Sequence, residues 1–264
     1  MEPMVNIALR AARKAGELIV RASDELDLIA VQAKSINDFV SEVDLNAEQE
    51  IVQQLQRAFP DHAILAEESG LHGDADAQYR WIVDPLDGTT NFIRGIPHYG
   101  VSIACLHNGK LEHAVVVDPV RGEEFVASRG RGAQLNGRRM RVSELPSLEG
   151  ALLGTGIPFK DHCDQQLPAY TQSLERLAGQ VAGIRRAGAA SLDLAYVAAG
   201  RLDGFWEIGL AAWDIAAGAL LIREAGGLVS DIDGSEGFME SGNIVAGNPK
   251  CFKAIVKVTR PLLA

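Results

Sequence analysis

Four acids in this chain, Glu67, Asp84, Asp87 and Asp214, sit where a polypeptide could gather carboxylates around a cation. The segment Trp81–Phe92 reads WIVDPLDGTTNF, an apolar run entering two carboxylates separated by Pro85 and Leu86. Pro85 fixes φ and has no N–H, so the strand is expected to end there and turn. Gly88 permits the tight bend that follows. The Asp84 and Asp87 oxygens would then converge on one or two cations, with the Leu86 carbonyl as an extra ligand for a hard metal. Gly88, Thr89 and Thr90 would leave N–H groups free at a helix start, where phosphate oxygens bind well. The plain alternative is a turn in which Asp caps a helix.

Ala66-Glu67-Glu68-Ser69-Gly70 is a second strand end carrying acids. Adjacent glutamates on a loop are commonly just solvated, and that reading stays open. Asp214 follows Trp213 in GLAAWDIAAGALLI, the most apolar stretch of the chain. It reads either as a helix cap or as a buried carboxylate in need of a partner. No Lys or Arg follows it until Arg223, and a metal would meet the need. Oxygen-only ligands favour Mg²⁺ or Mn²⁺ over Zn²⁺. The six histidines form no HxH or HExxH group and read as structural or surface residues. No nucleophile–base pair stands out elsewhere.

Helices and strands must carry these groups. Pro3 can open a first helix, in which Met4, Ile7, Ala8, Ala11, Ala15, Leu18, Ile19 and Ala22 recur at helical spacing. A second helix is expected over Phe39–Phe59, stopped by Pro60. Ala63–Ala66 and Trp81–Val83 read as strands whose ends carry Glu67 and Asp84. From Val101 to Met140 the alternation, with Asn108-Gly109 as a turn, predicts an antiparallel meander. After Leu148, strand and helix patterns alternate, which predicts a βαβ-like layer. Two lobes are expected, 1–146 and 147–264, forming one functional unit. The fold class is mixed, α+β then α/β.

The chain of 264 residues is 47% hydrophobic, enough for one large core or two packed lobes. Its net charge of −10 argues against general nucleic-acid binding and suits cation binding. Three scattered cysteines exclude a CxxC pair and point to a reducing compartment. The N-terminus lacks a signal-peptide pattern and no apolar run spans a membrane, so a soluble cytoplasmic protein is expected. Gly130/Gly132 and Gly154/Gly156 lack the third glycine of a dinucleotide site, and there is no P-loop.

WIVDPLDGTTNF and, near the C-terminus, WDIAAGALLIREAGG resemble the two signatures of the inositol monophosphatase family, with AEES upstream. The likeness covers nearly the whole chain. NDFVSEVD, RRAGAASLDLAYVAAGRLDGFWEIGL and NIVAGNP bring it nearest to the bacterial SuhB-type branch. The resemblance implies a layered αβαβα sandwich of the sugar-phosphatase type and lithium-sensitive hydrolysis of a small phosphate monoester, myo-inositol 1-phosphate first. It implies roughly two or three Mg²⁺ per site, with Mn²⁺ as the substitute. By resemblance, Glu67, Asp84, the Leu86 carbonyl, Asp87 and Asp214 hold metal. Thr89 and Asp44, together with Glu67, serve the attacking water. Asp87, Gly88, Thr90, Ala190, Glu207 and Asp214 meet substrate, and Lys34 lies on a loop near the metals. One departure is visible: Gly188-Ala189-Ala190 has Ala where relatives commonly carry Thr or Ser, which leaves a polar contact near the substrate open.

Direct attack by water is favoured over a covalent phosphoenzyme, which would need an Asp free of metal. A sugar-bisphosphate or 3′-phosphonucleotide phosphatase shares the same metal core and stays open. The resemblance also implies a homodimer. It further implies a second role as a partner of RNA polymerase and the Nus factors in ribosomal RNA synthesis, or even mainly as a non-catalytic scaffold. Arg185-Arg186 is the feature that could serve such a partner, against a solvated pair or a dimer contact.

Overall fold

The computed structural model describes residues 2–26, 29, 31–35, 38–158 and 160–263, with backbone alone for 31–35, 38–40, 160–165, 262 and 263. Helix α1 (Pro3–Ser23) begins on Pro3, at the position where a missing N–H costs nothing. It buries Ala8, Ala11, Ala12, Ala15 and Ile19. A hairpin of β1 (Val31–Ser35) and β2 (Asp38–Ser41) follows. Phe39 and Val40 therefore belong to a strand, and α2 (Glu42–Ala58) starts later than the apolar periodicity predicts. The cause is a capping box: Ser41 Oγ accepts from the Val43 N–H at 3.2 Å, and the Asp44 carboxylate accepts from the Ser41 N–H at 2.8 Å.

The first sheet has eight strands in the order β10-β9-β8-β7-β6-β5-β3-β4. They are β3 (Ala63–Ala66), β4 (Gly70–His72), β5 (Tyr79–Asp87), β6 (Gly100–His107), β7 (Lys110–Asp118), β8 (Glu123–Ser128), β9 (Gly132–Leu135) and β10 (Arg138–Arg139). The predicted meander is present. The pair β3·β5 is parallel, and the other pairs of this sheet are antiparallel. Contrary to expectation, Pro85 does not end its strand. β5 continues to Asp87, opposite Gly100, after a register break between Asp84 and Asp87. A bulge needs no ladder donor at that position, so proline is tolerated there. The short helix α3 (Thr89–Ile93) comes next.

The second sheet runs β12-β11-β13-β15-β14. Its chain order is β11 (Leu152–Thr155), α4 (Lys160–Ala178), β12 (Gly183–Arg185), α5 (Ala190–Ala198), β13 (Gly204–Glu207), α6 (Ala212–Glu224), β14 (Leu228–Ser230), α7 (Phe238–Ser241), β15 (Ile244–Gly247) and α8 (Pro249–Leu263). β11 is parallel to β12 and β13, as a βαβ layer requires, but β15 is antiparallel to both its neighbours.

The layers stack as α1/α2, first sheet, α5/α6, second sheet, α4/α8. This is the αβαβα sandwich of a mixed α+β protein. Three apolar cores fill the gaps, and the middle one packs Ile82 and Phe125 of the first sheet against Leu192 and Leu220 of α5 and α6. The carboxylates therefore lie where the first sheet meets the central helices. Cys105 and Cys251 are free and buried. Among the described residues no helix is long and apolar enough to cross a membrane.

Candidate metal centre

Asp84, Asp87 and Asp214 each bring a carboxylate oxygen within 4.8 Å of the others. Residues 130 positions apart are joined because the bulge of β5 faces the start of α6. Ser102 on β6 helps by donating to the Trp213 carbonyl at 3.0 Å. Asp84 is buried, and its Oδ1 accepts the Leu86 N–H at 2.9 Å, which closes the turn around Pro85. Asp214 does cap its helix, since Oδ2 accepts the Ala211 N–H at 2.7 Å. The cap and the cluster thus coexist in one side chain.

Glu67 leaves the end of β3 with its N–H on the Val83 carbonyl at 3.1 Å, and its side chain hydrogen-bonds to Asp84. Burial, then the charges of Glu67, Asp87 and Asp214, push the Asp84 carboxyl well above the ordinary carboxylate range. The largest charge effects on it are all from acids. Burial also raises Asp87, to about 6, against the pull of Ser191 donors. A buried cluster of oxygen donors is the donor set a hard divalent ion fits.

Thr89, the first residue of α3, stands beside the cluster. Its Oγ1 lies 2.8 Å from Asp44 Oδ1 and 3.0 Å from the Leu86 carbonyl. Asp44 is almost wholly buried at 1% exposure, and burial holds its carboxyl above the usual range. Its other oxygen is taken by Ser41, whose Oγ donates at 2.5 Å. The capping box of α2 thereby fixes the acid that faces Thr89.

Two residues that sequence reasoning passed over support the site. Buried Glu48 on α2 accepts the N–H groups of Glu68 at 2.7 Å and Ser69 at 2.8 Å. The Glu67 loop is therefore clamped to the helix that carries Asp44. Ser191 on α5 gives Asp87 Oδ2 its N–H at 2.7 Å and its hydroxyl at 2.5 Å. The hydroxyl missing at Ala189 reappears two residues later, aimed at a cluster carboxylate. A third, Asn91, donates to the carbonyls of His98 at 2.8 Å and Ala187 at 2.9 Å, tying α3 to the segment before α5.

Gly88 has φ 94°, and a Cβ there would meet the Gly188 carbonyl at 3.2 Å, so the turn requires glycine. Thr90 is exposed at the same turn, and Ala190 opens α5 beside Ser191. Glu207 is buried at the end of β13. Gly156 makes room for it, because a Cβ at 156 would fall 1.7 Å from Glu207 Oε1. Burial, then Asp193 and Asp214, raise Glu207 well above its ordinary value, and the nearby Arg186 opposes this. Asp193, also missed, behaves alike through burial, then Asp87, with Arg186 opposing. Both arginines of the Arg185-Arg186 pair are exposed; Arg186 acts on the charge of these acids, whereas Arg185 ends the edge strand β12. The Lys34 side chain lies outside the described residues.

The layered fold and the carboxylates at the seam of its first sheet define a class, the sugar-phosphatase type of αβαβα protein with an acidic cluster that could hold a metal ion. Residues 1–262 match the profile described as the inositol monophosphatase family, and the chain belongs to that family. A relative from Pseudomonas aeruginosa, named "Nus factor SuhB", is 64% identical over 265 residues, covering 100% of this chain and 98% of that protein. The crystal structure of an extragenic suppressor protein suhB from Bartonella henselae superposes with TM-score 0.94 at 43% identity, covering 98% of this chain and 99% of the other. An inositol monophosphatase from Anabaena gives TM-score 0.87 at 35% identity, covering 98% and 96%.

Proposed function

We propose that this chain hydrolyses a small phosphate monoester, myo-inositol 1-phosphate being the first candidate, with the help of Mg²⁺. The observation that carries the reading is the convergence of Asp84, Asp87 and Asp214 within 4.8 Å, with Glu67 bonded to Asp84. Glu67, Asp84, Asp87, Asp214 and the Leu86 carbonyl are the ligands in this account. Divalent cations bound there would neutralise phosphate charge and make a water more acidic.

The chain's own part is to hold that water and move its proton. Thr89 has one proton to give. Donated to Asp44 Oδ1, it leaves an Oγ1 lone pair facing outward to accept from water. The proton can then pass from water to Oγ1 and from Oγ1 to Asp44. Burial makes Asp44 the stronger base. Gly88 and Thr90 take the phosphate at the start of α3. Glu207 takes the hydroxyls of the alcohol portion, Ala190 lies beside its ring, and the two lobes act as one unit.

A second reading rests on the 64% identity to a protein named as a Nus factor. Under it the chain, as a cytoplasmic homodimer, also joins a transcription complex, and the exposed Arg185 edge is available for contact. Phosphate release screened over inositol phosphates, glycerol phosphate, sugar bisphosphates and 3′-phosphonucleotides tests the first reading. Turnover should require Mg²⁺, fall with millimolar lithium and favour inositol 1-phosphate. Full turnover in excess chelator would refute it. A pull-down of RNA polymerase and Nus factors with wild type and Asp84→Asn tests the second, which requires capture to survive loss of catalysis.

A further inference from the structure

Away from the carboxylates lies a groove of about 620 Å³ between the β9–β10 hairpin, the segment Met140–Arg141 that follows it, and the C-terminal end of α5. It shares no residue with the metal centre. Since α5 begins at Ala190 beside Asp87 and ends next to Ala199, the two places are separated by roughly 13 Å of helix. In a chain of net charge −10, the groove is lined by Arg138, Arg139, Arg141 and Arg201 against a single carboxylate, Glu123.

The four guanidiniums are not equivalent. Arg201 is fixed: it engages both oxygens of Glu123 and lies 5.0 Å from the Tyr196 ring centroid. Arg141 is fixed by the carbonyls of Glu224 at 3.2 Å and Met140 at 3.3 Å. Arg138 and Arg139 are exposed, and among the described residues neither has an ion-pair partner. Glu123 is already neutralised by Arg201, so the net charge facing the groove comes from the other three. Arginines on an edge strand also discourage sheet-to-sheet pairing. That explains Arg138 and Arg139, but not why Arg141 and Arg201, off the edge, are pinned around the same cavity.

We propose that this groove is a second anion site, taking a small ligand that carries clustered phosphates. Planar guanidiniums grip phosphate oxygens in pairs. Arg141, held by two carbonyls, supplies preorganised positive charge, while Arg138 and Arg139 close on the ligand from the hairpin. A volume of about 620 Å³ falls in the range of small-molecule sites, roughly 300–1,000 Å³, and suits a nucleotide-sized ligand. A nucleic-acid backbone offers the same phosphates, but the chain's net charge of −10 disfavours so extended an anion and favours the small source.

The test is calorimetric titration of the full chain with inorganic pyrophosphate in excess chelator at low salt. Without divalent ions the metal-centre carboxylates repel this probe, so the result is independent of the catalytic reading. Saturable binding is expected, weakened on the order of tenfold or more in Arg138→Ala/Arg139→Ala, and unchanged in the exposed control Lys250→Ala/Lys253→Ala. Turnover of a phosphate monoester should be unaffected by the arginine pair. If the alanine pair melts early, Arg138→Gln/Arg139→Gln repeats the test with side-chain length kept. Absence of saturable binding, or equal loss in the lysine control, overturns the site. A single-stranded oligonucleotide that binds more tightly than pyrophosphate, and loses that affinity in the arginine variant, overturns the small-ligand assignment.

Discussion

Ser191 holds Asp87 Oδ2 with two donors and so fixes the carboxylate that converges with Asp84 and Asp214. Outer partners of this kind are typically worth about 10–100-fold in metal affinity or activity. Ser191→Ala should therefore raise the Mg²⁺ concentration needed for half-maximal turnover by about that factor; an unchanged Mg²⁺ dependence would reduce Ser191 to a helix-terminus residue. Thr89→Ala should lower kcat by on the order of 10²–10⁴ with KM near wild type, because its work is done on a proton in the transition state. A change confined to KM would contradict the proton path through Oγ1. Asp87 also predicts a pH dependence for the metal-free protein. Its folded-state pKa, about 6, lies above the ordinary carboxylate value of 3.8, so the folded chain holds this proton more tightly. Its stabilising contribution is then complete below that ordinary value and is lost as pH rises through about 6. Unfolding followed in chelator should show a flatter pH slope over that window for Asp87→Asn than for wild type, and identical slopes would contradict the burial of this group. The four acids were legible in sequence because each adjoins a strand end, a proline turn or an apolar run. Ser191 and Glu48 were not, because each acts on a segment distant in the chain, and only packing brings them together.

At the scale of elements, α2 is the part whose function exceeds its length. Its first turn fixes Asp44 through Ser41, and its second fixes the Glu67 loop through Glu48. Glu48→Ala leaves two N–H groups without their acceptor and should destabilise the protein by about 1–3 kcal/mol for each left unsatisfied. The Mg²⁺-induced rise in melting temperature should shrink as well, since the Glu67 loop loosens. Denaturant unfolding with and without Mg²⁺ measures both, and a variant that keeps its full stability and full Mg²⁺ response would show Glu48 to be dispensable. The sequence made α1, the meander and the central helices readable through periodicity and the Asn108-Gly109 turn. It misled at α2, where apolar Phe39 and Val40 continue the helical stripe backward although Ser41 and Asp44 carry the start signal. It misled again at Pro85, because a proline in a bulge and a proline at a strand end look alike without the partner strand. The antiparallel placing of β15 between β13 and β14 leaves no local mark at all, since pairing direction is a property of the whole sheet.

Across the whole molecule, five layers bring acids from three separate segments into one low-dielectric seam, within a chain that is already acidic. The metal-free fold must hold these like charges together, and a cation that binds only the folded site relieves them. Mg²⁺ at a hundredfold excess over its dissociation constant should add about 2.7 kcal/mol of stability. Asp84 is the most enclosed of the acids and feels the other three, so removing its charge separates the metal account from a structural one. The deciding measurement is a set of melting curves for wild type and Asp84→Asn, each in chelator and in saturating Mg²⁺. The account predicts a variant without phosphatase activity that melts at or above metal-free wild type and loses most of the Mg²⁺-induced rise. A variant that melts well below metal-free wild type and keeps the full rise would make Asp84 a structural turn residue and place the cations elsewhere.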